Sequence, residues 1–130
     1  MIAAVGDELS DRGLLVVLTG SADEAALTQR VMSRMQAPCF DLTGRTGVGA
    51  LAVVLSAARL LVANDTGVSH LAAALGTPSA IVFTGSDPAR WAHPDGPLRR
   101  SLIRPGDPSA VVAAADLLLS RPAEPAHAAR

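Results

Sequence analysis

The sequence predicts an α/β fold with a doubly wound, mostly parallel sheet. Strand-like apolar runs and helix-like segments alternate repeatedly along its 130 residues, a pattern typical of sheets that are covered by helices. Apolar residues make up 49% of the chain and aromatic ones only 2%, so small aliphatic side chains are expected to form the core. We expect one domain over residues 1–120, followed by a flexible tail over 121–130 that is rich in alanine and proline.

The first third of the chain predicts two helices and two strands. Apolar residues at helical spacing indicate a helix over 1–12, which ends at Gly13 because glycine favours the conformation that follows a helix. The run LLVVL, residues 14–18, predicts a strand that is buried on both faces. A helix follows over 23–35, with acidic residues in its first turn. The segment CFDL, residues 39–42, predicts the second strand.

The rest of the chain continues this alternation after a glycine-rich loop at 43–49. Its last helix has the clearest signal, because Asp107 is a preferred N-cap residue and Pro108 suits the first helical position. The predicted elements are a helix over 50–59, a strand over 60–64, a helix over 66–75, a strand over 79–83, a weak edge strand over 101–104 and the helix that begins after Asp107.

Composition argues against several classes of function. The formal net charge of −1 gives no basic surface for nucleic acid. Cys39 is the single cysteine, so an intrachain disulfide is excluded, a buried thiol is expected and a cytoplasmic location is favoured. No apolar run reaches the roughly 18 residues that span a bilayer, so no transmembrane segment is expected. A peripheral contact with the inner face of the membrane stays compatible with this composition.

The stretch NDTGVSHLAAALGTP, residues 64–78, places polar groups at the end of a predicted strand. In doubly wound sheets ligands bind beyond the carboxyl ends of the strands, and a helix N-terminus there favours an anion such as phosphate. Thr66 offers a hydroxyl, Gly67 allows close approach, and His70 lies one turn further on. The competing interpretation is a helix cap at Asp65 with a hydrogen-bonded core histidine at His70. The residues alone support both interpretations equally.

Other strand ends carry weaker signals. Glu24 follows the first strand and could bind the hydroxyls of a ribose, although helix capping is the commoner role of such a residue. The loop at 43–49 matches neither G-x-x-x-x-G-K-[ST] nor G-x-G-x-x-G, which argues against a P-loop or a standard dinucleotide site. Trp91 could close over a ligand or anchor its own loop, and His93 beside it is interpreted as structural. No histidine or aspartate cluster has metal-site spacing, so no metal is expected.

Two longer motifs carry a family resemblance. The pattern D-T-G-x-x-H-x-A-A-A occurs at residues 65–74, and the string GSDPARW at 85–91 matches a second motif. Together with the order of the segments from about Leu14 to Pro94, they make the chain similar to the C-terminal half of glycosyltransferase family 9. That family includes the ADP-heptose:lipopolysaccharide heptosyltransferases.

The resemblance implies the GT-B architecture, in which two Rossmann-like domains enclose the active site and the C-terminal one holds the nucleotide sugar. The implied donor is ADP-L-glycero-D-manno-heptose or a similar nucleotide sugar, the acceptor is a glycan or a lipid-linked glycan, and neither a metal nor another cofactor is required. The implied donor-binding residues are Asp65, Thr66, Gly67 and His70 for the diphosphate and sugar, Glu24 for the ribose, and Thr46, through its backbone, for the adenine.

The chain departs from the family pattern in two respects. The acceptor domain is not recognisable in it, and the family's general base, an aspartate, belongs to that domain. The first strand of the donor domain and the lysine that follows it are also missing, and the chain contains no lysine elsewhere. In the usual strand order the missing strand is the central one. Either the strands at 14–18 and 60–64 pair directly, or the sheet carries a gap that exposes edges and apolar faces.

These departures lead to the expectation of a fragment that holds the donor-binding half of a bacterial glycosyltransferase and is inactive alone, with no catalytic residue of its own. One alternative is a non-catalytic or degenerate module that binds a nucleotide or phosphate. Another is a GT-B enzyme that uses a UDP- or GDP-sugar, against which the D-T-G-x-x-H pattern argues only moderately.

Overall fold

The computed structural model describes residues 1–85 and 96–120. The chain divides into two compact units, the first over Met1–Leu51 and the second from Ala52 onward. Helices and strands alternate as the sequence predicts. In chain order they are α1 (Ile2–Asp11), β1 (Val16–Leu18), a 3₁₀ turn (Ala22–Glu24), α2 (Ala25–Arg34), β2 (Cys39–Asp41), α3 (Val48–Ala57), β3 (Leu61–Asn64), α4 (Gly67–Leu75), β4 (Ser79–Phe83), β5 (Arg99–Ile103) and α5 (Pro108–Leu119).

The first unit contains a parallel pair of strands, β1 and β2, in which Val16 pairs with Cys39. Helices α1 and α2 approach closely, since a Cβ atom added at Gly6 would lie 2.9 Å from Cε of Met35. The carboxylate of Asp7 accepts hydrogen bonds from the backbone of the segment that follows α2, including one of 2.9 Å from the N–H of Ala37. This bond fixes where the chain turns into β2.

The burial predicted for the strand at residues 14–18 and for the thiol of Cys39 is wrong. Leu15 is 71% exposed and Phe40 is 59% exposed, and the thiol residue Cys39 is only half-buried. The reason is that continuous burial of a parallel strand needs neighbours on both edges and helices on both faces. A sheet of two strands does not provide that enclosure.

The second unit contains the parallel sheet β3–β4–β5, with β4 in the centre. All five residues of β4 are buried. Helix α4 packs on β3 and β4, while α5 packs on β4 and β5, and Ala80 of β4 lies in a core cluster with Ala114 and Leu118 of α5. The predicted edge strand is confirmed, and it starts two residues earlier than expected, at Arg99.

The predicted α/β class with parallel strands is confirmed. Each unit has a parallel sheet of its own. The predicted single domain over 1–120 stays a prediction, and the predicted tail over 121–130 lies outside the described residues. Within residues 1–85 and 96–120, no helix is both long enough and apolar enough to cross a bilayer.

Candidate functional site

The acidic residue of the D-T-G motif lies where β3 runs into α4. The backbone N–H of Asp65 donates to the carbonyl of Val82 at 3.2 Å, which continues the pairing of β3 with β4 by one residue. Only 8% of the Asp65 side chain is exposed, and its Oδ1 atom lies 3.9 Å from Nε2 of His70. The side chain of His70 is 46% exposed. A nearly buried carboxylate therefore faces an imidazole that remains accessible to solvent.

The structure excludes one part of the competing interpretation, the hydrogen-bonded core histidine. His70 is not a core histidine, because nearly half of its side chain is exposed. The N-cap of α4 is Thr66, and its side chain makes no capping hydrogen bond. Thr66 is exposed, so its hydroxyl is available at the N-terminus of a helix, where anions bind favourably.

Gly67 is the first residue of α4 and is exposed. A Cβ atom added there would meet nothing within 4 Å. The fold therefore does not need glycine at this position for lack of space. The absence of a side chain leaves the backbone open to close approach by a ligand.

Two buried residues that contact the motif residues, Ser69 and Arg99, were not identified from the sequence. Ser69 is completely buried, and its hydroxyl donates to the carbonyl of Thr66 at 2.8 Å and lies 3.5 Å from Oδ1 of Asp65. Arg99 is 6% exposed and donates from Nη1 to the carbonyl of Ser69 at 3.3 Å. A serine among the apolar residues of a helix is a weak indication that Ser69 supports the site. Nothing in the local sequence around Arg99 indicates its contact with a residue 30 positions earlier.

Glu24, the predicted ribose ligand, lies in the first unit. Its Oε1 atom accepts hydrogen bonds from the backbone N–H of Ser21 at 3.0 Å and from the Ser21 hydroxyl at 3.1 Å. These contacts form a capping box at the start of the helical segment. The structure thus gives Glu24 a capping role, and its role toward a ribose stays a prediction.

Thr46 is half-buried in the loop between β2 and α3. The same loop is joined to the loop after β1, because the N–H of Gly44 donates to the carbonyl of Gly20 at 2.8 Å. Gly44 has φ +73°, and a Cβ atom there would lie 3.3 Å from Cα of Ala22. The loops that carry Glu24 and Thr46 are therefore neighbours, as expected for the carboxyl ends of adjacent parallel strands.

Asp41 ends β2 beside these loops. The hydroxyl of Thr43 and, after it, the backbone N–H of Thr43 hold the pKa of Asp41 below its ordinary value. The backbone bond is 2.9 Å long. The hydroxyl of Thr43 also contacts that of Thr28 in α2 at 2.9 Å. This network fixes the start of the loop that contains Thr46.

Metal-binding clusters and cavities are the other candidate features of the described part of the chain. No group of three or more His, Cys, Asp or Glu residues there could hold a metal ion. A surface cavity of about 140 Å³ lies between α1 and α2 and contains none of the predicted site residues. The motif residues Asp87, Pro88, Arg90 and Trp91, and the histidine His93 after them, lie outside the described residues.

The family model and the relatives that match this chain are all named as heptosyltransferases. The family model for glycosyltransferase family 9 (heptosyltransferase) matches residues 2–106. The lipopolysaccharide heptosyltransferase 2 of Escherichia coli K12 is 32% identical over 90 residues, which are 66% of this chain and 26% of that protein. The lipooligosaccharide heptosyltransferase 2 of Haemophilus ducreyi is 27% identical over 84 residues, or 62% of this chain and 24% of that protein. The chain thus spans about a quarter of the length of these relatives.

Two solved structures share the fold. The ADP-heptose lipopolysaccharide heptosyltransferase II of E. coli superimposes with a TM-score of 0.80 at 28% identity, over 91% of this chain and 40% of that one. A family 9 glycosyltransferase from Veillonella parvula superimposes with a TM-score of 0.74 at 20% identity, with the same coverage of 91% and 40%. Both likenesses extend over most of this chain and over less than half of the other.

Proposed function

Because this chain belongs to glycosyltransferase family 9, we propose that it is the donor-binding part of a bacterial glycosyltransferase that acts in the synthesis of the lipopolysaccharide core or a related glycan. The donor is a nucleotide sugar of the ADP-heptose type, and the acceptor is a glycan or a lipid-linked glycan. A cytoplasmic location at the inner face of the membrane belongs to the same proposal, since the relatives are named for lipopolysaccharide and lipooligosaccharide.

The observation that carries this proposal is the arrangement at the N-terminus of α4. An exposed threonine hydroxyl that does not cap the helix, an open glycine and an exposed histidine held beside a buried carboxylate lie within six residues. The N-terminus of a helix favours negative charge. A diphosphate bound there would accept hydrogen bonds from the hydroxyl of Thr66 and from the imidazole of His70, with the backbone of Gly67 close to its oxygens.

The same groups have a role in sugar transfer. When an acceptor hydroxyl attacks the anomeric carbon with inversion, negative charge grows on the departing diphosphate. Donors that are already oriented stabilise that charge most effectively. The general base that activates the acceptor is expected in the part of the relatives that this chain does not match, so we propose donor binding without transfer for this chain.

For Glu24 and Thr46 we propose the roles toward the nucleoside that the family resemblance implies. Both hydrogen bonds from Ser21 end on Oε1 of Glu24, which leaves Oε2 for the vicinal hydroxyls of a ribose. The backbone at Thr46 lies in the neighbouring loop and would contact the adenine. These two roles require the capping box to remain formed while the ribose binds.

Calorimetric titration of the full chain with ADP, UDP and GDP tests the proposal. We expect ADP to bind most tightly. Gly67→Ala should weaken ADP binding without loss of stability, because the added methyl enters the space that the ligand uses and meets nothing in the protein. Gly96→Ala is the matched control, since a Cβ atom there also meets nothing within 4 Å and Gly96 precedes β5, at the edge of the sheet opposite the N-terminus of α4.

Three results would contradict this proposal. A chain that circular dichroism shows to be folded, yet that binds no ADP at millimolar concentration, would instead be a degenerate module. Tighter binding of UDP or GDP would indicate a different donor. Equal effects of Gly67→Ala and Gly96→Ala on ADP affinity would contradict a site at the N-terminus of α4.

A further inference from the structure

Arg99, the first residue of β5, carries its guanidinium group into the interior of the second unit, where the residue is 6% exposed. It lies beside Ser79 of β4 in the register of the sheet. The next residue of β4, Ala80, packs with Ala114 and Leu118 of α5. Successive side chains of a strand point to opposite faces, and residues paired across strands share a face. Ser79 and Arg99 therefore lie on the face away from α5.

On that face Arg99 reaches the first turn of α4. Its Nη1 atom donates to the carbonyl of Ser69 at 3.3 Å. Ser69 in turn donates from its hydroxyl to the carbonyl of Thr66 at 2.8 Å, and the same hydroxyl lies 3.5 Å from Oδ1 of Asp65. That oxygen faces His70 at 3.9 Å. A continuous series of polar contacts thus joins a buried guanidinium to the exposed histidine of the motif.

We propose that Arg99 is a positioning residue that holds the first turn of α4 through Ser69 and so sets the orientation of the Asp65–His70 pair. It does not contact the ligand. For its effect on a bound diphosphate the inference rests on the proposed function. The geometric part of the inference is that Arg99 sets the orientation of the His70 ring. This part rests only on the contacts described above.

Stability by itself does not account for a guanidinium at this place. A buried charge carries a desolvation cost, and a well-packed apolar residue is often as stabilising or more so. One property of arginine suits a positioning role. Its planar fork holds a backbone carbonyl in a defined direction.

Nuclear magnetic resonance of the imidazole ring tests the geometric part. The ring signals of His70 are assigned by their loss in His70→Ala. We expect Arg99→Met to shift them clearly, and Arg99→Lys to shift them less because it keeps the charge but not the fork. Ser79→Ala is the matched control, since Ser79 is buried beside Arg99 and its hydroxyl bonds only to the carbonyl of Thr77 among the contacts described. Ring signals that stay in place in both Arg99 variants would overturn the proposal.

Titration with ADP tests the functional part. We expect Arg99→Met to weaken ADP binding by up to about tenfold, the effect of losing the hydrogen bond from a misoriented His70 to the diphosphate. Ser79→Ala should leave the affinity unchanged even where it lowers the melting temperature. In a His70→Ala background Arg99→Met should lose most of its effect.

The results separate the two proposals. Additive losses of affinity in the double variant would show that Arg99 does not act through His70. If Arg99→Met does not fold, the His70 ring signals of Arg99→Lys test the proposal in its place. A wild-type chain that binds no ADP would contradict the proposed function, and the His70 signals would still decide the role of Arg99.

Discussion

Oδ1 of Asp65 lies 3.9 Å from Nε2 of His70, with the carboxylate nearly buried and the imidazole half exposed. This asymmetry orients the histidine from the protein side and leaves the rest of its ring to solvent or to a ligand. A protonated His70 would form an ion pair with Asp65 at this distance. The pair is therefore suited to present an imidazole N–H to an anion at the N-terminus of α4.

The first prediction concerns His70→Ala. We expect ADP affinity to fall about tenfold, the loss of one hydrogen bond to a charged group, while the melting temperature changes little because the side chain is half exposed. Isothermal titration and thermal unfolding measure the two effects. Arg59→Ala serves as the control, since Arg59 is exposed and precedes β3 at its opposite end. Equal losses of affinity in the two variants would indicate a general charge effect instead of a site at His70.

Local chemistry explains which parts of this molecule the sequence could predict. Gly13 follows α1 with φ +82°, and the carboxylate of Asp107 caps α5 through the N–H of Ser109 at 2.9 Å. Both features depend on a few adjacent residues, and both are confirmed. The D-T-G-x-x-H motif was likewise found at the end of a strand, because the alternation of strands and helices alone places it there.

Features that depend on distant contacts could not be predicted. The exposure of Leu15 and Phe40 follows from the number of strands and helices around them, which an apolar run does not reveal. The contact between Arg99 and Ser69 joins residues 30 positions apart, and it requires the order β3–β4–β5 together with the packing of α4 on that sheet. The hydropathy pattern showed only a weak edge strand there.

The second prediction concerns Gly44, where the loops of the first unit meet. Gly44→Ala should destabilise the chain by about 1–2 kcal/mol, because the left-handed region costs about that much for a residue with a side chain. The added Cβ atom also lies only 3.3 Å from Cα of Ala22. Denaturant unfolding measures the free energy of unfolding. Gly49→Ala, close by in the first turn of α3 and with nothing within 4 Å of the added atom, should not destabilise the chain, because alanine favours a helix more than glycine does. A similar loss in both variants would contradict the argument.

The third prediction concerns the pH dependence of stability at the N-cap of α5. The hydroxyl of Ser109, followed by its backbone N–H, holds the pKa of Asp107 below the ordinary value of 3.8. A carboxyl whose pKa is lower in the folded chain stabilises that chain fully above its unfolded pKa, and the contribution is lost as the pH falls through the folded pKa.

Asp107→Asn should therefore reduce the fall in melting temperature between about pH 5 and pH 3, since the amide keeps a capping oxygen but does not titrate. Asp107→Ala should lower the melting temperature by a few degrees at neutral pH as well. Thermal unfolding across this pH range measures both. An unchanged acid slope in Asp107→Asn would assign the acid sensitivity to other carboxyls, such as Asp41, whose pKa is also held low.

The fourth prediction concerns the exposed apolar side chains of the first unit. Leu15 and Phe40 are 71% and 59% exposed beside a sheet of two strands, and exposed apolar strands promote association. We expect the chain to associate increasingly with concentration, and the double variant Leu15→Lys with Phe40→Lys to reduce this association. Sedimentation velocity and light scattering measure it.

Leu117→Lys is the control for that variant. Leu117 is also 59% exposed, but it lies on helix α5, whose backbone groups are paired within the helix and offer no edge to a second chain. If association depends on the strands, this substitution should leave it nearly unchanged. An equal reduction in Leu117→Lys would assign association to apolar exposure in general, and its persistence in the double variant would assign it to another surface.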